Sequence, residues 1–89
     1  TTVPTQALYF LNDPFFHQQA SLAAGRIRKQ DPVPRRIDQM FRQLFQREPL
    51  AGEREIAGRF LESYPGSQEQ KWAAYARVLM ASNEFIYLD

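Results

Sequence analysis

The chain contains no cysteine, which excludes disulfides, thiolate nucleophiles and every sulfur-ligated metal site. It also leaves the redox compartment unspecified, because there is nothing to oxidise. Histidine is nearly as scarce: His17 stands alone, and one imidazole with scattered carboxylates meets none of the ligand spacings that zinc or calcium require. The four glycines, at positions 25, 52, 58 and 66, are isolated, so no glycine-rich loop can wrap its backbone amides around a phosphate. Charge of neither sign dominates. Eleven Lys and Arg against ten Asp and Glu give a formal net charge of +1, too little for a whole-domain field that steers polyanions. No apolar run approaches the roughly 20 residues needed to cross a bilayer, so no membrane span is expected. The start of the sequence also lacks the basic region and long apolar stretch of a signal peptide. It begins at Thr1 in a segment already patterned like structure, and the expectation is a C-terminal fragment of a larger protein.

What is present is a core. Seven Phe, four Tyr and one Trp in 89 residues are a payload that disordered chains lack, and a chain of this length can bury roughly 60 per cent of its unfolded surface. A single domain over residues 1–89 is expected. Its apolar residues recur at helical spacing. Ala7, Leu8, Phe10 and Leu11 crowd a short stretch behind Pro4, which predicts a turn or two of helix over Val3 to Leu11. Asp13 before Pro14 is a cap followed by a tolerated first position, and Phe16, Ala20, Ala23 and Ile27 share one face of a helix predicted to reach about Lys29. Asp31 and Pro32 repeat the start signal. The helix they open shows the fullest amphipathic stripe, Ile37, Met40, Phe41, Leu44 and Phe45, and is predicted to run to about Arg47 before Pro49 stops it. Glu53 and Glu55 then suit the first turn of another helix, with Ile56, Ala57, Phe60 and Leu61 as its buried side. Pro65 and Gly66 end it. Ser67 with Gln70 makes a capping-box pattern ahead of Trp72, Tyr75, Ala76, Leu79 and Met80, a last helix predicted to reach about Asn83. No stretch alternates with period two, so the fold class is all-α: a bundle of four main helices with a short N-terminal helical segment.

Three constellations invite a chemical reading. Asp13, His17 and Ser21, four residues apart, line one helical face and are the residue types of a hydrolytic triad. Successive side chains along a helix supply no oxyanion donors, however, so Asp13 is read as a cap and His17 and Ser21 as surface residues. No catalytic, metal-binding or cofactor-binding residues are expected, and the domain is not expected to be an enzyme. Arg26, Arg28, Lys29, Arg35 and Arg36 gather around one turn with only Asp31 among them, the composition of a polyanion patch. No aromatic is interleaved with them for stacking, and a solvated face at helix ends explains them more simply. The aromatics Phe15, Phe16, Phe41, Phe45, Phe60, Trp72 and Tyr75 fall at core spacing. Tyr9, Phe10, Phe85, Ile86 and Leu88, near the two ends, are left over and available to a partner surface.

The run Thr2-Val3-Pro4-Thr5-Gln6-Ala7-Leu8 leading to Leu11-Asn12-Asp13-Pro14-Phe15-Phe16, the run Arg47-Glu48-Pro49, and the closing Ala81-Ser82-Asn83-Glu84-Phe85-Ile86-Tyr87-Leu88-Asp89 resemble the C-terminal end of the large planctomycete proteins that carry an N-terminal planctomycete-type cytochrome c domain. In that family this end is a domain of unknown function, the parent proteins look exported, and the haem attachment motif lies far upstream. No catalytic residue is assigned there, so none is carried over. Where the family places a capping Ser or Thr and then Pro, this chain has Leu50 and Ala51, which leaves the start of the third main helix open.

The resemblance implies a structural or interaction module of an exported or periplasmic, cytochrome-c-associated protein. Its partner would be the remainder of the parent polypeptide or another protein. The alternative is binding of nucleic acid or another polyanion through Arg26, Arg28, Lys29, Arg35 and Arg36, although the near-neutral charge disfavours a nucleic-acid partner.

Overall fold

A computed structural model describes residues 12–82 and residue 85. Within them the chain forms four helices, α1 (Pro14–Gly25), α2 (Val33–Phe45), α3 (Ala51–Ser63) and α4 (Gln68–Met80), and no strand. The fold is the all-α bundle that the periodicity predicts. The helical turn expected over Val3 to Leu11 lies outside the described residues.

Local chemistry sets most of the helix starts. The Asp13 carboxylate accepts the Phe15 N–H at 2.9 Å, with Pro14 next to the cap. At α4, Ser67 Oγ accepts the Gln70 N–H at 3.1 Å while Gln70 Oε1 accepts the Ser67 N–H at 2.8 Å, satisfying two otherwise orphan amides reciprocally. The start of α3 is settled at Ala51, and Leu50 caps with its backbone only: Glu53 Oε1 accepts the Leu50 N–H at 2.8 Å, which is half of a capping box. At α2 the expected Asp31 cap gives way to Pro32, and the first turn has no side-chain cap. Asp31 is engaged elsewhere, accepting from Gln39 Nε2 at 2.6 Å.

Three helices end earlier than periodicity suggests. α1 stops at Gly25 rather than about Lys29, because Arg26 and Ile27 close short bonds to Ala23 and Ala24 and Gln39 Oε1 takes the Arg28 N–H at 3.0 Å. A side chain eleven residues away thus captures the amide that would have continued the helix. α2 stops at Phe45 rather than about Arg47, with Gln46 in the left-handed region at φ 57°, where a non-glycine residue is uncommon. α4 ends at Met80, not Asn83, on an Ala81 cap.

α4 is the central helix. It packs most extensively against α1 and also touches α2 and α3, and Trp72, Ala74, Tyr75, Ala76 and Met80 are all buried on it. Small residues allow the closest approach: Ala20 and Ala76 have no exposed surface. α2 supplies the bulk of the core, with Met40 and Phe41 the largest fully buried side chains. Each such burial contributes about 1.5–3 kcal/mol. Two residues read as core lie outside it. Phe15 is 65% exposed and Ile56 66% exposed, each about 100° around its helix from the buried neighbour that follows it. Phe60 is half-buried and stacks on Tyr64 at 5.3 Å. Phe85, read as available to a partner, packs instead against the core, edge-on to Phe45 at 6.4 Å. Tyr9, Phe10, Ile86 and Leu88 lie outside the described residues.

Candidate functional site

Among the described residues the only side chains with a polar group in the buried core are Trp72 and Tyr75, each 3% exposed. The five cations of the sequence patch do not form one face. Arg26 donates to Gln43 Oε1 at 3.1 Å, Arg28 Nε lies 3.9 Å from Asp31, and Lys29 Nζ lies 3.8 Å from Glu69 at the start of α4. Arg35 is exposed.

Arg36 has the distinctive environment. Its guanidinium lies over the Trp72 ring, 4.5 Å from the centroid, and its Nε is shielded from solvent without a hydrogen-bond partner. The absence of interleaved aromatics, inferred from sequence, is therefore corrected: an aromatic meets the patch, brought by α4 from 36 positions away. A signal for half of this was present. Arg36, Met40 and Leu44 are spaced four apart, so the register that buries Met40 and Leu44 lays Arg36 along the edge of the core, stem inward and charge outward.

Lys29 and Arg36 share an open groove of about 1030 Å³ with Arg77, a residue that sequence reasoning passed over. One wall is the α1 face of Ser21, Ala24 and Gly25; the other is the first turns of α4, with Tyr64 and Pro65 from the preceding loop. Arg26, Arg28 and Arg35 do not line it. The patch is divided, with two of its five residues joining a new cation.

A second polar assembly ties α2 to α3. Arg47 donates Nη1 and Nη2 to the two oxygens of Glu53 at 2.8 and 2.9 Å, and Nη1 also reaches the Glu48 carbonyl at 2.9 Å. The same guanidinium lies 5.4 Å from the Phe41 ring and 5.7 Å from that of Phe45. The hydrogen bonds from Arg47 hold the Glu53 carboxyl below the usual carboxylate range. Burial, reinforced by the charge of Glu53, pushes the Tyr75 phenol up to about 12. Beside this clamp, Asp38 accepts Arg54 Nε at 2.9 Å and Glu48 accepts Arg42 Nη2 at 2.6 Å.

The Asp13, His17 and Ser21 series is spread along α1. Asp13 is turned to the Phe15 amide, while His17 and Ser21 are exposed, with His17 edge-on to Phe16. Among the described residues there is no cluster of three His, Cys, Asp or Glu that could hold a metal ion. None of their helices is long and apolar enough to cross a membrane.

Fold and surface together define a small helical module whose charged and amide side chains mainly join one helix to the next. A family model described as PSD1, protein of unknown function (DUF1553), matches residues 1–61. The chain belongs to that family. The matched stretch takes in α1, α2 and most of α3, while α4, with Trp72 and Arg77, follows it. No curated protein and no solved structure matches the chain significantly.

Proposed function

We propose that this chain is a structural or interaction module that performs no chemistry itself and serves a larger, exported, cytochrome-c-associated protein, to which its sequence motifs bear the resemblance described above. The observation that carries this reading is how the charged and amide groups are used. Arg47 and Glu53 clamp the α2–α3 corner, Asp38 and Arg54 bridge the same helices, and Gln39 and Gln43 tie α2 to the end of α1. These side chains are engaged in setting helix geometry.

The reading is tested by mass measurement of the native protein together with its haem absorption spectrum, and by mixing this chain with the rest of the parent polypeptide. A parent of larger mass carrying haem, and a stoichiometric complex between the two parts, are the expected results. A native protein near 10 kDa without haem would sink it.

The alternative, a polyanion binder acting through Arg26, Arg28, Lys29, Arg35 and Arg36, has less support, because three of these cations already face an amide oxygen or a carboxylate. It requires binding that weakens steeply with salt.

A further inference from the structure

We propose that the groove between α1 and α4 is the module's docking surface, and that its occupant is an acidic peptide segment. The inference rests on the interaction-module reading and names the partner's chemistry.

Charge is the first argument. Lys29, Arg36 and Arg77 line the groove against a single carboxylate, Glu69, so three minus one leaves two positive charges in one cleft of a chain whose formal net charge is +1. The groove concentrates a field that the molecule as a whole lacks. Arg36 and Arg77 make no ion pair with a carboxylate among the described residues, whereas Arg42, Arg47, Arg54 and Arg59 each do.

Preorganisation is the second. The Trp72 ring holds the Arg36 guanidinium against its face, so part of the side-chain entropy that binding would otherwise cost is already lost. A planar fork of donors fits a carboxylate through two parallel hydrogen bonds. Lys29 meets Glu69 at 3.8 Å with both side chains largely exposed, 73% and 84%. Such a pair is worth little, and Lys29 can exchange Glu69 for an incoming carboxylate.

The lining is the third. Arg36 and Arg77 line the same groove, and Ala24, Pro65 and Ala73 supply apolar floor for the uncharged residues of the segment. A single-stranded nucleic acid suits the groove less well. Trp72 is 3% exposed and its face is covered by Arg36, so no base can stack on it.

Trp72 is the only tryptophan and reports on the site directly. The full chain is titrated with a short peptide of alternating Glu and Ala while Trp72 fluorescence is followed, alongside the matching Gln and Ala peptide, oligothymidylate and inorganic phosphate. The expected result is a saturable change with the Glu peptide only, weakened about tenfold or more in Arg77→Gln and in Arg36→Gln, the cost of one charge-assisted hydrogen bond, and unchanged in Arg35→Gln. Arg77→Gln keeps the test decisive if Arg36→Gln unfolds. Equal binding of the Gln peptide, tighter binding of oligothymidylate or phosphate, no saturable change, or native affinity in Arg77→Gln would each overturn the assignment. The complex with the parent polypeptide does not depend on which surface forms it, so its failure and the failure of the groove are separate results.

Discussion

The guanidinium of Arg36 lies over the indole of Trp72, 4.5 Å from the ring centre, joining the first turn of α2 to the second turn of α4. A cation over an aromatic face contributes about 0.5–2 kcal/mol depending on how dry the site is, and the Arg36 stem covers apolar surface as well. Arg36→Ala is therefore expected to lower unfolding stability by about 1–2 kcal/mol and to shift Trp72 emission to the red as water reaches the ring. Arg36→Lys should recover only part of this, since an ammonium does not stack as a plane. Urea unfolding followed by fluorescence measures both, and an emission spectrum unchanged in Arg36→Ala would contradict the contact.

The Arg47–Glu53 clamp carries a pH dependence whose sign is fixed. The Glu53 carboxyl sits below its ordinary value of 4.5 because of the bonds from Arg47. A lowered folded-state pKa means that the stabilisation is complete above about pH 4.5 and is lost as pH falls through the folded value. Glu53→Gln should cost about 1 kcal/mol at neutral pH and flatten the acid limb of the stability curve. An acid limb identical to that of the native chain would show that Glu53 titrates as it does when unfolded.

Tyr75 acts at the other end of the scale. Its phenol is pushed from 10.0 to about 12 by burial, so the folded state holds the proton more tightly than the unfolded chain. Stability is then full below pH 10, where both states are neutral, and declines as pH rises toward 12. Alkaline unfolding monitored by circular dichroism should show this decline, and Tyr75→Phe should reduce it while keeping the ring's packing against Phe60 and Trp72.

Gly66 stands at φ +124°, a conformation closed to side chains, and a Cβ there would lie 2.5 Å from Gln70 Oε1. That oxygen is the one that caps the Ser67 amide. Gly66→Ala therefore strains the backbone and displaces half of the capping box, with an expected loss of about 2 kcal/mol or more. Ser67→Ala removes only the other half and should cost about 1 kcal/mol. Thermal unfolding of the two variants gives the order, and a Gly66→Ala variant as stable as Ser67→Ala would refute it.

What could be read from the sequence follows the range of each interaction. Caps act over two or three residues, so Asp13 with Phe15 and Ser67 with Gln70 were visible as patterns and stand as hydrogen bonds. Helix ends were less visible. α1 was expected to continue to about Lys29, and what shortens it is Gln39, a side chain on the next helix that takes the Arg28 amide. Asp31 looked like a cap and serves as an acceptor for that same glutamine. Phe15 and Ile56 have the composition of core residues, but each lies a third of a turn off the face its helix buries. The groove could not be read at all: Lys29, Arg36 and Arg77 come from three separate stretches, and only the packing of α4 against α1 brings them to one cleft.

The amino-acid sequence alone determined that this protein is helical, where α1 and α4 begin, and which stripes of α1, α2 and α4 turn inward, because propensity, capping and apolar periodicity are decided within a few residues of chain. The tertiary structure decided where α1 and α2 stop, which aromatic Arg36 covers, and which cations share a surface. Those outcomes depend on side chains that become neighbours only after the helices dock, and no spacing along the chain encodes that distance.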